Sequence, residues 1–556
     1  MKAQHIRPTT STTAGILLAL GIVYGDIGTS PLYVMKEIIH GNQGIISRPF
    51  IFGVISLIFY LCRHMKLNKY ILSTSLLLTS SLAAFAQTQK TLDYTIETGA
   101  TVGIGNHTPF WLVANRYGKS SIRKNNAYLD AGIFKRMEED KDFSYALGLE
   151  LVGASRFTSK FFVQQAYADV RYRWAELSVG SKERGNEILN DRLSSGGLTF
   201  STNARPIPQA RLSIPEYTPF PWTHGWLHVK GHIAFGKFTD DGFQEDFTNK
   251  RSKFTNGALY HSKAGFLKIE NEKSPVSVEL GLEMAAQMGG TCYYPQGNGT
   301  LKELKTPVSW KDFFKILLPS SGGTTASESD QINILGNHLG SYTAALSYRF
   351  RTWKAKAYYQ HSFEDRSGMG FTYGPWKDFL AGLEVTLPAN RFVSTVVGEM
   401  IYTKHQSGAF HTLSESKEPF TGADNYYNNG QYAGWEHWGQ GIGNPLLISP
   451  IYNTDGNLSF KSNRVKGFHI GLTGQPIAEL EYRLLFSGVS HWGTYGLPFR
   501  DIKHSYNGML EMTYRPMKLK GWSFTLSGAA DAGSMLGRSG GGMLTVRKIG
   551  LIGRKK

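Results

Sequence analysis

From Leu92 onward the chain repeatedly sets apolar side chains at every second position. Leu92, Tyr94, Ile96, Ala100, Val102 and Ile104 alternate with polar or small residues. The pattern returns at 143–151, 168–174, 227–235, 276–286, 342–350, 379–387, 478–486 and 522–526. A period of two places successive side chains on opposite faces of a strand, so each run has one apolar and one polar face. The polar faces carry Asp169, Arg171 and Arg173; His228, Lys230 and His232; Glu279 and Glu283; Glu479, Glu481 and Arg483. Runs of about nine to eleven residues, many ending in Tyr, Trp or Phe, match membrane-spanning strands and exceed ordinary soluble ones. Beyond Ala86 no apolar run is long enough for a spanning helix; the longest, 313–318, is broken by Lys315. The pattern predicts an all-β, transmembrane antiparallel β-barrel, with polar faces toward the lumen and apolar faces toward lipid. At roughly 26 residues per strand and connection, 87–556 provides about 18 strands.

Two stretches break the rhythm. Residues 288–340 contain Gly289-Gly290, a predicted short helix at 310–318 and a Ser-Ser-Gly-Gly turn at 320–323. Residues 407–452 are rich in Gly, Asn and aromatics. Both are expected as excursions outside the bilayer or folded over the barrel mouth, so the barrel carries plugging loops and short helices.

The front of the chain reads differently. Residues 65–86 have a basic start (Lys66, Lys69), an apolar core from Tyr70 to Leu82 and a small-residue Ala84-Phe85-Ala86 site before Gln87. That is the composition of a secretory signal peptide. The expected organisation is therefore an apolar helical fragment at 1–64, a signal peptide at 65–86 and an exported barrel at 87–556. The exported part holds one cysteine, Cys292, and so no internal disulfide, which leaves stability to the size of the fold.

The chain carries +17; residues 1–86 hold seven Lys/Arg and two Asp/Glu, leaving +12 for 87–556. Outside the cytoplasm such a balance suits acidic glycans or lipopolysaccharide phosphates, besides ordinary solubility. No basic run with interleaved aromatics points to nucleic acid.

The run 21–34, Gly-Ile-Val-Tyr-Gly-Asp-Ile-Gly-Thr-Ser-Pro-Leu-Tyr-Val, resembles the first transmembrane segment of the KUP potassium-uptake transporters. Asp26 beside broken-helix glycines would suit cation handling. The resemblance is read as ending near Tyr60, and two partial helices cannot enclose an ion path. Residues 1–64 are expected to be a fragment joined upstream, without transport activity.

In the body, Asp424-Asn425-Tyr426-Tyr427-Asn428-Asn429-Gly430, Gly434-Trp435-Glu436-His437 and Ile442-Gly443-Asn444-Pro445-Leu446 resemble the Wzi family of capsule-assembly outer-membrane proteins. Supporting runs are Thr108-Pro109-Phe110-Trp111-Leu112, 203–209, 331–333, 336–341, Phe363-Glu364-Asp365 and Gln406-Ser407-Gly408. The resemblance spreads over 87–556. It implies a barrel of about 18 strands, plugged, in the Gram-negative outer membrane among lipids and lipopolysaccharide. It also implies lectin-like, non-catalytic holding of capsular polysaccharide, here by a monomeric barrel. The chain ends 551–556 in Leu-Ile-Gly-Arg-Lys-Lys, where many such barrels end in an aromatic residue.

Within the block 424–446, flat rings beside amides and carboxylates suit sugars, which present apolar C–H faces and hydroxyls. Asp424, Asn425, Tyr426, Tyr427, Asn428, Trp435 and Trp438 are the polysaccharide-contact candidates, with Asn429 and Tyr432 nearby. The same residues equally suit a turn-rich plug whose rings pack inside. No catalytic residue, metal ligand set or cofactor is expected. Gly537-Arg538-Ser539-Gly540-Gly541 fits a hydrolase elbow pattern but sits between two strand-like runs, so it reads as a turn. Gly439-Gln440-Gly441-Ile442-Gly443 follows no strand of a βαβ unit. His338 and His437 read as hydrogen-bonding residues in packed loops, and Cys292 as buried or loop-borne. The rivals are a diffusion channel for anionic solutes, which shares alternation and basic charge, and an outer-membrane hydrolase, which needs Ser, His and an acid to converge.

Overall fold

A computed structural model describes residues 92–317, 336–364, 369, 377–388, 390–408, 411–412, 419–420 and 423–553. The signal-peptide and transporter-like stretches lie outside the described residues. Numbering the wall strands alone, β1 is Leu92–Gly105, β2 Asn126–Lys135, β3 Phe143–Ser155, β4 Phe161–Tyr172, β5 Ala175–Ser181 and β6 Gln209–Pro219. Then come β7 Leu227–Lys237, β8 Leu259–Glu270, β9 Val276–Met288, β10 Asn337–Arg349, β11 Lys354–Phe363 and β12 Phe379–Thr386. The circuit is completed by β13 Thr395–Tyr402, β14 Val465–Ile477, β15 Leu480–Gly493, β16 Pro498–Tyr514, β17 Trp522–Gly533 and β18 Ser539–Ile552. Each pairs antiparallel with its chain neighbours, and β18 returns to β1 from Leu92↔Ile552 to Gly105↔Ser539. The 18-stranded sheet is thus a closed barrel, in which no backbone edge is left unpaired. The non-aromatic chain end does not prevent closure, because the ladder already ends at Ile552. Strands run from 7 residues in β5 to 17 in β16, most longer than the alternating runs alone suggest.

The two faces separate as the alternation requires. Val102 and Ile104 on β1 are 66% and 76% exposed, and Leu129, Leu212, Leu280, Leu346, Leu526 and Leu544 are exposed around the circuit. An apolar belt of this extent is unsuited to water and suits lipid. On the opposite face Asp130, Asp169, Glu283, Glu399 and Glu511 are buried. Asp169 takes an ion pair from Lys182 at 2.5 Å, and Arg483 pairs with Glu511 at 2.9 Å. Two of the expected lumenal residues are elsewhere: Arg173 and Glu479 lie in the two-residue turns after β4 and β14, where the wall has already reversed.

The connections are unequal. At the end holding Leu92 and Ile552 every link is short, from residues 173–174 and 478–479 up to 387–394. The opposite end carries 106–125, 182–208, 238–258, 289–336 and 403–464. Short turns at one end and long loops at the other are the arrangement of outer-membrane barrels, with the loops outside the cell. Exposed Tyr172, Trp174, Trp226, Phe350, Trp353 and Trp522 ring the turn end as an interfacial aromatic belt.

The insertion expected at 288–340 is 289–336, since Met288 and Asn337 belong to β9 and β10. Its strands Thr291–Pro295 and Leu301–Lys305 join Phe254–Asn256 in a small sheet, followed by the helix Trp310–Leu317. Buried Cys292 lies in that sheet. The second excursion spans 403–464. The apolar core lies inside the barrel, where Phe110, Trp111, Leu193, Leu198, Trp435, Leu446 and Phe460 from three long loops meet wall residues such as Leu380, Val397 and Val489. Loops 106–125 and 182–208 were not expected as plug segments.

Candidate functional site

Among the described residues, several of the sequence runs singled out above converge in the plug; 331–333 and Asp365 lie outside the described residues. Asp378, at the loop end before β12, accepts the His405 and Gln406 amides at 2.8 and 2.5 Å and the Tyr426 hydroxyl at 3.1 Å. Ser407 donates to Asp424 at 2.5 Å, and the Tyr427 amide donates to Glu364. Asn203 reaches the Gly441 carbonyl at 2.8 Å, and Asn429 reaches Asn337 at 3.1 Å. Asn428 pairs through both side-chain groups with the Phe460 backbone, at 2.8 and 2.9 Å, imitating a strand pairing where no strand exists. Asn and Gly recur here because buried irregular backbone needs side-chain partners and tight approaches. At Gly443 a Cβ would overlap the Tyr427 hydroxyl and the Leu198 carbonyl that this hydroxyl bonds.

This architecture distributes the contact candidates unequally. Tyr426, Tyr427 and Trp435 are buried, and Tyr432 with them. Trp435 has no exposed surface; its indole N–H donates to Thr199 at 3.0 Å, and its ring stacks 6.2 Å from Tyr260 with Phe200 and Phe238 at its edges. Tyr427 meets Phe460 edge-on at 5.1 Å. These rings carry packing. Asp424 is buried under Ser407, Asn425 is exposed, and Asn428 and Trp438 are half-buried. Tyr427 and Trp438 both hold a positive φ, 68° and 58°, conformations that only surrounding packing maintains for large side chains.

Beside Trp438 stands a residue that alternation could not flag. The Arg205 guanidinium is sandwiched between the rings of Phe162 and Trp438, 3.8 and 4.4 Å from their centroids. It donates to Thr158 at 2.9 Å, and burial lowers its pKa to about 9. His437 bridges the Arg205 and Thr239 carbonyls at 2.9 and 3.1 Å, and burial holds it at about 4. It is the packed, hydrogen-bonding histidine expected; His338 is also buried, but within β10 rather than a loop. Burial likewise pushes Glu436 up to about 8, against the Gly439 amide and the Gln244 amide at 2.7 Å that favour its charge.

Ion pairs tie the plug to the wall. Lys119 of loop 106–125 reaches Asp130, Glu150 and Glu97 at 2.5, 3.2 and 3.6 Å. Glu187 of loop 182–208 accepts Lys230 and Arg211 at 2.8 and 3.1 Å, and Ser194 donates to Glu399 at 2.6 Å. Toward the turn end the lumen opens into a cavity of about 400 Å³ lined by charged residues including Lys135, Arg171, Lys182, Glu176 and Arg547.

One arrangement has the composition of a hydrolytic site. Ser539, His107 and Asp531 meet at the loop end, with His107 Nδ1 3.8 Å from Asp531. However, the imidazole nitrogens face the Thr108 and Leu536 carbonyls at 2.8 and 3.0 Å, and it is the His107 backbone N–H that donates to Ser539, at 3.2 Å. Ser539 opens a wall strand rather than a strand-to-helix elbow, so no base faces the hydroxyl. Among the described residues no cluster of three metal-ligating side chains occurs.

Comparison with known proteins separates the same two parts. Residues 13–78 match the K+ potassium transporter integral membrane domain, further than the expected end near Tyr60 and into the stretch read as a signal peptide, whose apolar core has a similar composition. Probable potassium transport system proteins Kup of Clostridium perfringens and Latilactobacillus sakei are each 57% identical, over 65 and 61 residues. Those segments are 11% of this chain and 10% and 9% of theirs, so the chain spans about a tenth of the length of the curated relatives it matches. The solved structure of Escherichia coli Wzi, described as a carbohydrate-binding β-barrel of the outer membrane involved in group 1 capsule assembly, aligns with a TM-score of 0.50 at 14% identity. The alignment covers 83% of this chain and 85% of that one. Residues 108–447, which include most of the three inner loops' shared core, match the family described as capsule assembly protein Wzi. This chain belongs to the Wzi family of capsule assembly proteins.

Proposed function

We propose that this chain is a non-catalytic outer-membrane protein that holds capsular polysaccharide at the cell surface in a lectin-like way. The observation that carries the reading is a closed barrel whose loop-end plug, assembled from the 424–446 block and two further loops, fills the lumen in a member of the capsule assembly family. A filled lumen disfavours the channel for anionic solutes, and a loop end rich in amides and rings suits a glycan surface. The contact set within the block narrows to Asn425, Asn428 and Trp438, the members with exposed surface, while Asp424, Tyr426, Tyr427 and Trp435 support them from beneath. The barrel acts as a monomer, without cofactor or metal and without nucleic acid as a partner. Its mature form begins at Gln87 after residues up to Ala86 are removed; 1–64 takes no part in its work.

Deletion of the gene in a capsulated host should release polymer into the medium with synthesis largely intact. Polymer that stays cell-bound, together with lost uptake of small anions, would establish the channel reading instead. The N-terminal residue of the membrane-extracted protein tests the processing.

A further inference from the structure

On the lipid-facing side of the barrel, at the loop end, strands β13 to β16 carry their side chains in level rows. Even-numbered positions face outward here: Met400 and Phe468 are 42% and 43% exposed, while their neighbours Glu399, Ile401 and His469 are buried. The lowest row, Met400–Phe468–Gly488–Tyr506, is fixed by direct pairing across the four strands and is apolar. Two residues higher, roughly 7 Å along the strands, the row is Tyr402–Lys466–Ser490–His504. Above that, Lys404, Arg464 and Trp492 lie side by side, the Arg464 Nε donating to the Lys404 carbonyl at 3.2 Å and the Trp492 amide to the Arg464 carbonyl at 3.0 Å. Apolar surface thus gives way, within two rows, to three cations on the same face.

The cations are held in place. The Lys404 ammonium sits 3.8 Å over the Trp492 ring, and the Arg464 guanidinium sits 4.0 Å over the Tyr495 ring. Tyr495 is itself pinned by a hydrogen bond to the His405 carbonyl at 3.0 Å. A cation over a ring keeps N–H donors directed away from it. No salt bridge within 4.0 Å joins any of the three to a carboxylate among the described residues, and the charged neighbours that lower the pKa of Lys404, after burial, are Arg464 and Lys466. Arg464 feels one buried carboxylate, Asp378, which already accepts the His405 and Gln406 amides and the Tyr426 hydroxyl, so the three like charges gathered on the outer face keep donors free for an external anion.

We propose that Lys404, Arg464 and Lys466 form a binding site on the outer wall for the phosphate groups of a phosphorylated glycolipid of the outer leaflet. The acyl chains lie along the Met400–Phe468–Gly488–Tyr506 row, where the Phe468 ring covers Gly488 and makes the row a continuous apolar surface. Ser490 and His504, bonded to each other at 3.1 Å, border the headgroup. A lipid fits better than a soluble polymer because the site stands directly on the membrane-facing apolar row. The inference rests on the outer-membrane placement and not on polysaccharide holding.

The test is native mass spectrometry of the detergent-extracted barrel with bis-phosphorylated lipid A, dephosphorylated lipid A and phosphatidylethanolamine as probes. The triple variant Lys404→Gln/Arg464→Gln/Lys466→Gln should bind the phosphorylated probe about a hundredfold more weakly. A turn-end control, Lys273→Gln/Arg351→Gln/Lys354→Gln, should bind as the parent does, and Lys404→Arg/Lys466→Arg should retain binding. The proposal is overturned if the triple variant binds phosphorylated lipid A like the parent, if the control loses as much, or if the parent does not distinguish phosphorylated from dephosphorylated probe. Retained lipid A with lost capsular polymer would make the patch a polymer contact and also overturn it. Should the triple variant lose heat-modifiability, the parent's discrimination and the arginine pair decide the matter.

Discussion

Trp435→Ala separates the two roles that aromatic residues in this plug can have. The ring is fully buried and fills the junction between Tyr260, Phe200 and Phe238. Removing a large aromatic side chain from a packed core costs about 3–5 kcal/mol. Loss of the indole donor leaves the Thr199 carbonyl without its bond, about 1 kcal/mol more. The wall ladder does not depend on this ring, so the whole loss should fall on the plug. Hydrogen exchange of the detergent-solubilised barrel reads it directly. At 1.4 kcal/mol per factor of ten, amides in 424–464 and 182–208 should exchange about a thousand to twenty thousand times faster, with wall amides and heat-modifiability unchanged. Planar-bilayer recordings should show larger or more frequent conductance steps as the lumen unblocks. Trp438→Ala, with its half-buried ring, should leave plug exchange nearly as it was and weaken polymer retention. Unchanged protection in both loops of Trp435→Ala would refute the packing argument. Lost retention with an unaltered plug would instead make Trp435 a direct sugar contact.

Two further outcomes follow from buried charge. Lys119→Met strands Asp130, Glu150 and Glu97 around an absent cation, at a cost of about 3–5 kcal/mol; exchange should rise in 106–125, and adding Asp130→Asn should recover part of it, whereas unaltered exchange would show that the lock is idle. Glu436 is raised by burial to about 8, so its stabilising contribution is complete below its unfolded pKa near 4.5 and is lost as the pH rises through 8. After correction for intrinsic rates, plug amides around 432–443 should be less protected at pH 9 than at pH 6, and Glu436→Gln should flatten that difference; a profile equally steep in the variant would move its origin elsewhere.

Much of the wall was legible because a strand's side chains obey a period of two wherever its faces meet different solvents. Val102 and Ile104 beside Gly103 already specify an outward face, and repetition over 87–556 specifies roughly the strand number that closure realises. The helix at 310 and the two loop excursions were visible for the converse reason, as places where that period fails. The inward course of 106–125 and 182–208 was not visible, because a short apolar run within a polar connection looks the same over a barrel mouth or inside it. Only ion pairs such as Lys119 to Asp130, between residues on different elements, decide which. The candidate site divides along the same line. Local composition marks 424–446 as rings among amides, whatever the fold. Whether a ring meets a sugar or Tyr260 depends on what the closed barrel brings over it, and for Trp435 the burial of its whole surface inside the lumen gives that answer. The row of Lys404, Arg464 and Trp492 exists only through register between strands separated by the longest plug loop, since a pairing across 60 residues of chain is set by barrel closure and by no local pattern.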